Sequence, residues 1–515
     1  MTVPAPATYW ITPPPGTNVT AVQLSLDESI RLALENNLKI QVERYTPIVA
    51  GYDARALYGH YDPVLNSTIS TTHSTRESGA FNQNTGNLVP GSSVDTDSAS
   101  AGIGGYLPTG LRYDIGQNLN NVDSTAGYLL GTNSFGRPIF GKRNSDTWTS
   151  SGSAPGGYGA TVTQPLLRDF WIDDARLQIK LRKRDTRISE TDLERVIMDI
   201  VNQVEKAYYG LIANRELVRV GETDVAVKKQ FFEENRRRQE VGALAELDVK
   251  LAQAELAKSE INLVVARKNA ADSEAVLKGF IHDNFVNQLN TRLELTDRLL
   301  ALPERLELSD AFNEAVQKRP DLESERLRLE KAQIQVKYDF NQLFPTLNVI
   351  ASFGLNGLDF HAGGALDDVS SRRFPQTSYG LSLSFPLTLW KERNNYKSAQ
   401  NAKAKEILTL KQLEETVIKE VDFQIRLLAT TWQTIPLRRE QTAYEQAALE
   451  AEQKKLAAGK STSFNVLKIA SDLTQAQSDE IGTLRDYNQA VSELNFRKGT
   501  TLERWRIDRP ARPNR

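Results

Sequence analysis

Apolar residues recur along this chain of 515 residues at two spacings, one helical and one extended. Leu193, Ile197, Ile200, Val204, Ala207 and Leu211 step by four and three, which is a narrow coiled-coil seam rather than a wide globular face. Past a glycine at 242, Ala252, Leu256, Ser259, Leu263, Ala266, Ala270, Ser273 and Leu277 keep the step with smaller side chains, so backbones can approach closely. No proline stands between Pro165 and Pro303. The pattern predicts one helix over residues 170–239, roughly 70 residues and on the order of 100 Å long at ~1.5 Å each. A single globular core needs no helix of that length.

The extended spacing is clearest in "GLRYDIGQNL", residues 110–119. Leu111, Tyr113, Ile115 and Leu119 fall on one face, and Arg112, Asp114, Gly116 and Asn118 on the other. About ten residues, apolar outside and polar inside, suit a strand of a membrane-spanning barrel; an ordinary half-buried sheet is the alternative. "VLNSTISTT" (64–72), "LNVIASFGL" (347–355) and "YGLSLSF" (379–385) show the pattern more weakly. Residues 74–97 and 120–155, rich in Gly, Ser, Asn and Thr, read as long solvent-facing loops at one end of the barrel. Four strands are too few to close a barrel that holds a channel, so the strands would be pooled between subunits.

The chain is also written twice. "LSLDESIRLALENN" at 24–37 lies without a gap on "LELSDAFNEAVQKR" at 306–319, and the same offset of 282 sets "YDPVLN" on "LFPTLN", Pro63 on Pro345. "YGATVTQPL" at 158 matches "YGLSLSFPL" at 379, Pro165 on Pro386, and "EVGALAELDVKLAQAEL" at 240 matches "AAGKSTSFNVLKIASDL" at 457, Gly242 on Gly459. The expected organisation is an N-terminal extension (1–23), a first repeat (24–302), a second repeat (303–505) and a C-terminal tail (506–515). The first repeat holds a helix, strands with an extra hairpin (98–120) and a long helical hairpin (166–281). The second holds a helix, two strands and a helical hairpin (387–503). The first repeat carries about sixty residues more between its proline and its last strand. Within them "SASAGIGGYLPTGLRYDIGQNLN" (98–120) reads as an added hairpin turning at "LPTG".

Composition narrows the classes. No window holds 18 consecutive apolar residues, which excludes a transmembrane helix but not a β-barrel. A net charge of −2 gives no electrostatic footprint for nucleic acid. The absence of cysteine excludes disulfides, thiolate metal sites and a cysteine nucleophile. "MTVPAPATYWITPPPGTN" has neither a basic n-region nor an apolar h-region, so it is not a signal peptide as it stands: either the protein is cytoplasmic or the numbering begins after a removed or mis-annotated leader. "AAGKST" at 457–462 imitates a phosphate loop, but Lys454 stands where the first glycine is needed. His60, His73, His282 and His361 lack metal-ligand spacing, and the carboxylates are spread over helix faces with Lys and Arg. The sequence offers no catalytic, cofactor or metal constellation.

The duplicated opening helix, the helix-to-strand prolines Pro63 and Pro345, the "QPLL" and "FPLTLW" strand exits at Pro165 and Pro386, and the "GALAELDVKLAQAEL" turn resemble the TolC-like outer-membrane efflux and secretion channels, over residues ~24 to ~505. The resemblance implies an α+β membrane protein. Three copies would share one outer-membrane β-barrel and build a periplasmic α-barrel tunnel from long helical hairpins. It implies a passive conduit of a tripartite efflux pump or type I secretion system, in the bacterial outer membrane and extending into the periplasm. Its partners would be outer-membrane lipid, a periplasmic adaptor (membrane fusion) protein and an inner-membrane transporter, with no cofactor. The added hairpin 98–120 either enlarges the family's twelve-strand barrel or lies outside it.

In the resembled family the narrow periplasmic end lies at the helix–helix turns, where acidic residues line the aperture and adaptors dock. Here the first turn carries Arg236, Arg237, Arg238, Gly242, Glu246 and Asp248. The second departs from it: Gly459 is followed by Lys460 and Lys468, and Asn465 stands at the position of Asp248. Solvated turn residues without a gating role are the alternative reading of these positions. A soluble coiled-coil adaptor or scaffold is the rival for the whole chain, and it predicts no lipid-facing strand.

Overall fold

Residues 20–76, 81–82, 87–88, 91–136, 138–151, 159–242, 244–284, 291–304 and 307–508 are described by a computed structural model. Residues 1–19 of the expected N-terminal extension and 509–515 of the expected tail lie outside the described residues. The chain runs β1 (Thr20–Leu24), α1 (Leu26–Asn36), α2 (Leu38–Ala56), β2 (Val64–Arg76), β3 (Phe81–Asn82), β4 (Asn87–Leu88), β5 (Ser92–Tyr106), β6 (Arg112–Thr132), β7 (Pro138–Ser151), β8 (Gly159–Pro165), α3 (Asp174–Glu240) and α4 (Glu246–Ile281). It continues through β9 (Thr291–Leu295), α5 (Leu308–Lys318), α6 (Pro320–Asn341), β10 (Thr346–Asp359), α7 (Ala362–Ser370), β11 (Phe374–Ser384), α8 (Trp390–Ala457), α9 (Ser463–Lys498) and α10 (Thr501–Arg504). Two compact units result. The first takes the described residues of Met1–Val49, Thr186–Leu327 and Ile407–Arg515, the second Ala50–Asp185 and Arg328–Glu406.

The first unit is helical apart from the parallel pair β1–β9. Helix α1 starts at a capping box: Ser25 Oγ accepts from Glu28 N at 3.2 Å, with Asp27 and Glu28 in the first turn beside the positive helix end. Its Leu26, Ile30 and Ala33, spaced four and three, are buried. They join Leu193, Ile197, Ile200, Val204 and Leu211 of α3, together with Leu277, Ile281 and Leu293, in one cluster. The narrow seam of α3 is therefore the axis of this core, and Ala207 packs against its edge. On α4, Ala252, Ser259, Leu263 and Leu277 are buried, while Leu256, Ala266, Ala270 and Ser273 are half-buried. Gly221 lets the two helices close up, because a Cβ there would stand 3.3 Å from Leu263.

The second unit is built on a sheet of seven strands in the order β11-β10-β7-β6-β5-β2, with β8 pairing β10 and β6. β7 and β8 occupy one lane between β6 and β10: Leu119 pairs Ser150 of β7, and four residues earlier Ile115 pairs Ala160 of β8. The sheet thus has six positions across, where the sequence predicts four strands and leaves the place of the hairpin 98–120 open; β5 and β6 are that hairpin. Much of the expected loops 74–97 and 120–155 is strand, since β2 reaches Arg76, β5 begins at Ser92, β6 runs to Thr132 and β7 covers Pro138–Ser151. Asp95, Thr96, Asp97, Asn120, Asn121, Asp123 and Ser124 put polar side chains on both faces there, so the alternation that marks a half-buried strand is missing. Backbone pairing holds the strands, joined by cross-strand side-chain bonds from Thr71 to Asp97 and between Ser124 and Ser145, both 2.7 Å. α7, also unforeseen, lies on β10 where Gly357 leaves no room for a Cβ beside Ala365.

Candidate functional site

Both long helices of the first unit end in the same way. α3 stops at Glu240, and Gly242 takes φ +74 while its N–H donates to Gln239 O at 2.8 Å. α8 stops at Ala457, and Gly459 takes φ +70 with its N–H on Leu456 O at 3.1 Å and Lys460 N on Lys455 O at 2.8 Å. A left-handed residue after the last turn satisfies carbonyls the helix leaves open, and glycine adopts it without a Cβ penalty.

The helices that leave the turns start differently. Thr462 caps α9, its Oγ1 accepting from Asn465 N at 3.4 Å, whereas Ala245 offers α4 no side-chain cap. Glu246 and Asp248 stand instead in the first turn of α4, where carboxylates offset the positive helix end. The acidic residues of the first turn thus have a structural use that Asn465, behind Thr462, does not need to fill. Glu246 reaches Lys250 at 4.0 Å, Arg236 pairs with Glu233 and Glu240, and Arg238 with Glu234. Arg237, Lys460 and Lys468 are exposed. The Glu452 carboxyl is lowered from its ordinary value, first by accepting from Ser461 and then by accepting from Lys455.

The two turns lie at the same end of the unit. Ser463 Oγ, in the first turn of α9, donates to Asn235 Oδ1 near the end of α3 at 3.2 Å, and both residues are buried. Phe231 packs there on Leu449, Val466, Ala470 and Leu473. A polar cluster lies further along α3: Lys228 pairs with Asp224 at 3.1 Å, both side chains nearly fully buried, and with Glu255 of α4 at 3.7 Å. Thr474 Oγ1 of α9 donates to Asp224 at 3.0 Å. Sequence reading passed over these residues. Yet Gly221, Asp224, Lys228, Phe231 and Asn235 continue the three-and-four step of the apolar seam, and that continuation was the available signal.

The four prolines sit at strand ends. Pro63 and Pro345 directly precede β2 and β10; Pro165 is the last residue of β8, and Pro386 lies two residues past β11. Neither of the latter two begins a helix, since α3 starts at Asp174 and α8 at Trp390. Where Pro165 stands, the missing N–H ends a ladder.

The faces of the sheet differ in kind. Leu65, Ile69, Ile103, Ile115, Phe353 and Leu381 share one face through the register and are exposed, Ile69 at 84%. The other carries Asn66, Thr68, Ser98, Ser100, Asn118 and Ser378. Leu111, Tyr113, Ile115 and Leu119 fall on the apolar side. Among the described residues no helix is long and apolar enough to cross a membrane, and no group of His, Asp and Glu could hold a metal ion.

Residues 140–281 and 311–499 match the sequence model of the family described as "Outer membrane efflux protein". No curated protein matches. Among solved structures, the outer-membrane channel OprN is similar at 14% identity and TM-score 0.65, over 92% of this chain and 90% of its own. The CmeC outer membrane channel of Campylobacter jejuni is similar at 14% identity and TM-score 0.64, over 92% and 86%. The outer membrane protein VceC from Vibrio cholerae is similar at 14% identity and TM-score 0.64, over 92% and 96%.

Proposed function

The chain belongs to the outer membrane efflux protein family, and from that premise we propose that three copies form one passive export channel. In this reading the strands of three protomers close a shared β-barrel in the outer membrane. The hairpins α3–α4 and α8–α9 form a periplasmic α-barrel tunnel. The channel serves a tripartite efflux pump or a type I secretion system through an adaptor protein and an inner-membrane transporter, which supplies the energy.

The observation that carries this reading is the sheet with one apolar, exposed face and one polar face, on strands long enough to cross a bilayer. A soluble scaffold has no use for such a surface. The same exposed face supports contact with outer-membrane lipid. Element lengths support two structural repeats over 24–302 and 303–505. α3 and α8 have 67 and 68 residues, α4 and α9 have 36 each, and α1 and α5 have 11 each.

The glycine turns are the proposed periplasmic gate and adaptor-docking site. Three-fold symmetry makes a ring of Asp248, flanked by Glu246, and a separate basic set from Lys460 and Lys468, with Asn465 neutral; rings of charge select ions at a constriction. Arg236, Arg237 and Arg238, with Gly242 and Gly459 at the tips, form the surface an adaptor would meet. In planar bilayers the protein is expected to give discrete conductance steps with a preference for cations that Asp248→Asn lowers. Bilayers that stay silent contradict the channel, and an unchanged preference contradicts the ring.

A further inference from the structure

We propose that each copy contributes six strands to the barrel wall, with the β5–β6 hairpin inside it, so that three copies of six positions close an eighteen-strand barrel. The proposal rests on the trimeric channel reading and sets the width of its outer-membrane pore.

Strand register decides between the two places the sequence left open for this hairpin. Outside the wall, the hairpin would leave β2 beside β7 and β8. Instead β5 pairs β2 without a break from Val64↔Gly104 to Arg76↔Ser92. β6 pairs β5 on one side and both β8 and β7 on the other. The hairpin turn is tight, with Gly110 N donating to Leu107 O at 2.8 Å. A flap on the barrel would not hold ladders on both edges.

The apolar face runs through the hairpin as through its neighbours. It is Leu65 and Ile69 on β2, Ala99 to Ile103 on β5, Tyr113 to Leu119 on β6, and Tyr379 to Leu383 on β11. Following the register, the centre of this band slides from the level of Gln117 on β6, paired through Ala101 to Ser67, to that of Leu381 on β11, two residues beyond Tyr379, which Val162 and Ala351 join to Tyr113; four residues from Gln117 to Tyr113 and these two make six. Six residues of slide is about 20 Å along the strands, against about 24 Å across five inter-strand gaps, a tilt of about 40°. Closed barrels tilt their strands by about 35–45°. The inserted strands follow the same slope as the others, as members of one wall must.

The ends fit closure. With six positions across an antiparallel sheet, β2 and β11 run in opposite directions, and both are exposed along their whole length. β11 of one copy therefore meets β2 of a second copy antiparallel, which removes the two long bare edges. Barrel diameter grows roughly in proportion to strand number, so this wall is about half again as wide as one of twelve strands; barrels of about 16–18 strands leave an open aqueous channel. The lining is polar, with Asn66, Thr68, Ser98, Ser100, Asn118 and Thr149, and carries charges of both signs in Arg76, Arg112 and Asp114. Such a pore admits bulky hydrated cargo of either sign and leaves selection to the helical end.

The chain has no cysteine of its own, so single cysteines can carry an environment-sensitive bimane label. Labelled protein is reconstituted in phosphatidylcholine vesicles with and without brominated acyl chains. Ile103→Cys and Leu119→Cys, on the hairpin, are expected to lose most of their emission in brominated lipid, as Leu381→Cys on β11 does, while Ser100→Cys and Asn118→Cys keep theirs. Quenching at Leu381→Cys but not at Ile103→Cys and Leu119→Cys, in a protein of trimeric mass, places the hairpin outside the wall and overturns the proposal. A single-chain mass, or no quenching at Leu381→Cys, overturns the channel reading beneath it.

Discussion

Lys228 is the most exposed to perturbation of the buried polar groups, because it serves two carboxylates at once. Its ammonium lies 3.1 Å from Asp224 and 3.7 Å from Glu255, with side-chain exposures of 4% for Lys228 and 6% for Asp224. At an effective dielectric of about 20 a pair at that distance attracts by about 5 kcal/mol, offset by several kcal/mol of desolvation for each ion. Lys228→Met removes the attraction and leaves the desolvation. Asp224 then keeps only the Thr474 hydroxyl, and Glu255, whose Oε2 already lacks a hydrogen-bond partner among the described residues, loses its counter-charge. Breaking such a pair from one side costs about 3–5 kcal/mol. Asp224→Asn leaves Lys228 with Glu255 and an amide that still accepts from Thr474, and costs about 1–3 kcal/mol. The double variant Asp224→Asn, Lys228→Met recovers part of the loss, because the stranded charge is gone. Thermal unfolding of the detergent-extracted protein, followed by helical circular dichroism, ranks the three. Equal losses for the single variants, or a Lys228→Met protein as stable as the parent, would show that water reaches the pair and refute the reasoning.

The left-handed glycines should separate by what surrounds them. At Gly242 and Gly459 an added Cβ meets nothing within 4 Å, so each Ala substitution costs about 1–2 kcal/mol of backbone strain. At Gly499, with φ +76, a Cβ would stand 2.8 Å from the Lys318 carbonyl carbon, and the clash lifts the loss above about 3 kcal/mol; equal melting shifts at the three sites would contradict this. Two carboxylates should pull the pH dependence in opposite senses. Burial raises Glu205 despite Ser492, Arg504 and Trp505, so its stabilising contribution is full at low pH and lost as pH rises through its folded value. Glu205→Gln is therefore expected to raise the melting temperature near neutral pH and not below the carboxylate range. Burial would raise Glu274 too, but the Leu293 N–H, Lys278 and Arg215 outweigh it and hold it low; its contribution is present at neutral pH and lost as pH falls through that lowered value. Glu274→Gln should lower the melting temperature near neutral pH and converge with the parent in acid.

What the sequence displays follows from where apolar side chains are needed. The seam from Leu193 to Leu211 carries a core, so its step is written in apolar residues and the helix can be read from them. Near Asp224 and Lys228 the helix buries charges that satisfy one another, and the same step continues unseen. β6 is legible as far as Leu119, where one face is apolar, and illegible from Asn120 to Thr125, where ladders to β5 and β7 hold Asn120, Asn121, Asp123 and Ser124 in a stretch polar on both faces. That blind spot hid β7 and the first residues of β5, while the rest of β5 was legible as one arm of the hairpin 98–120. β1 and β9 were missed because strands of five residues far apart in sequence carry no local sign of their partner. The glycines of both turns stood out, since a left-handed position leaves a residue type behind; the capping difference between Ala245 and Thr462 emerges only from the geometry.

The central claim, that three copies make one continuous channel, is tested most directly by electron microscopy of single detergent-extracted particles from protein expressed with an export signal. The account predicts a three-fold particle of three times 57.5 kDa with a tunnel along its axis. A water-soluble monomer or dimer with no tunnel would contradict it and return the long helices to a scaffold.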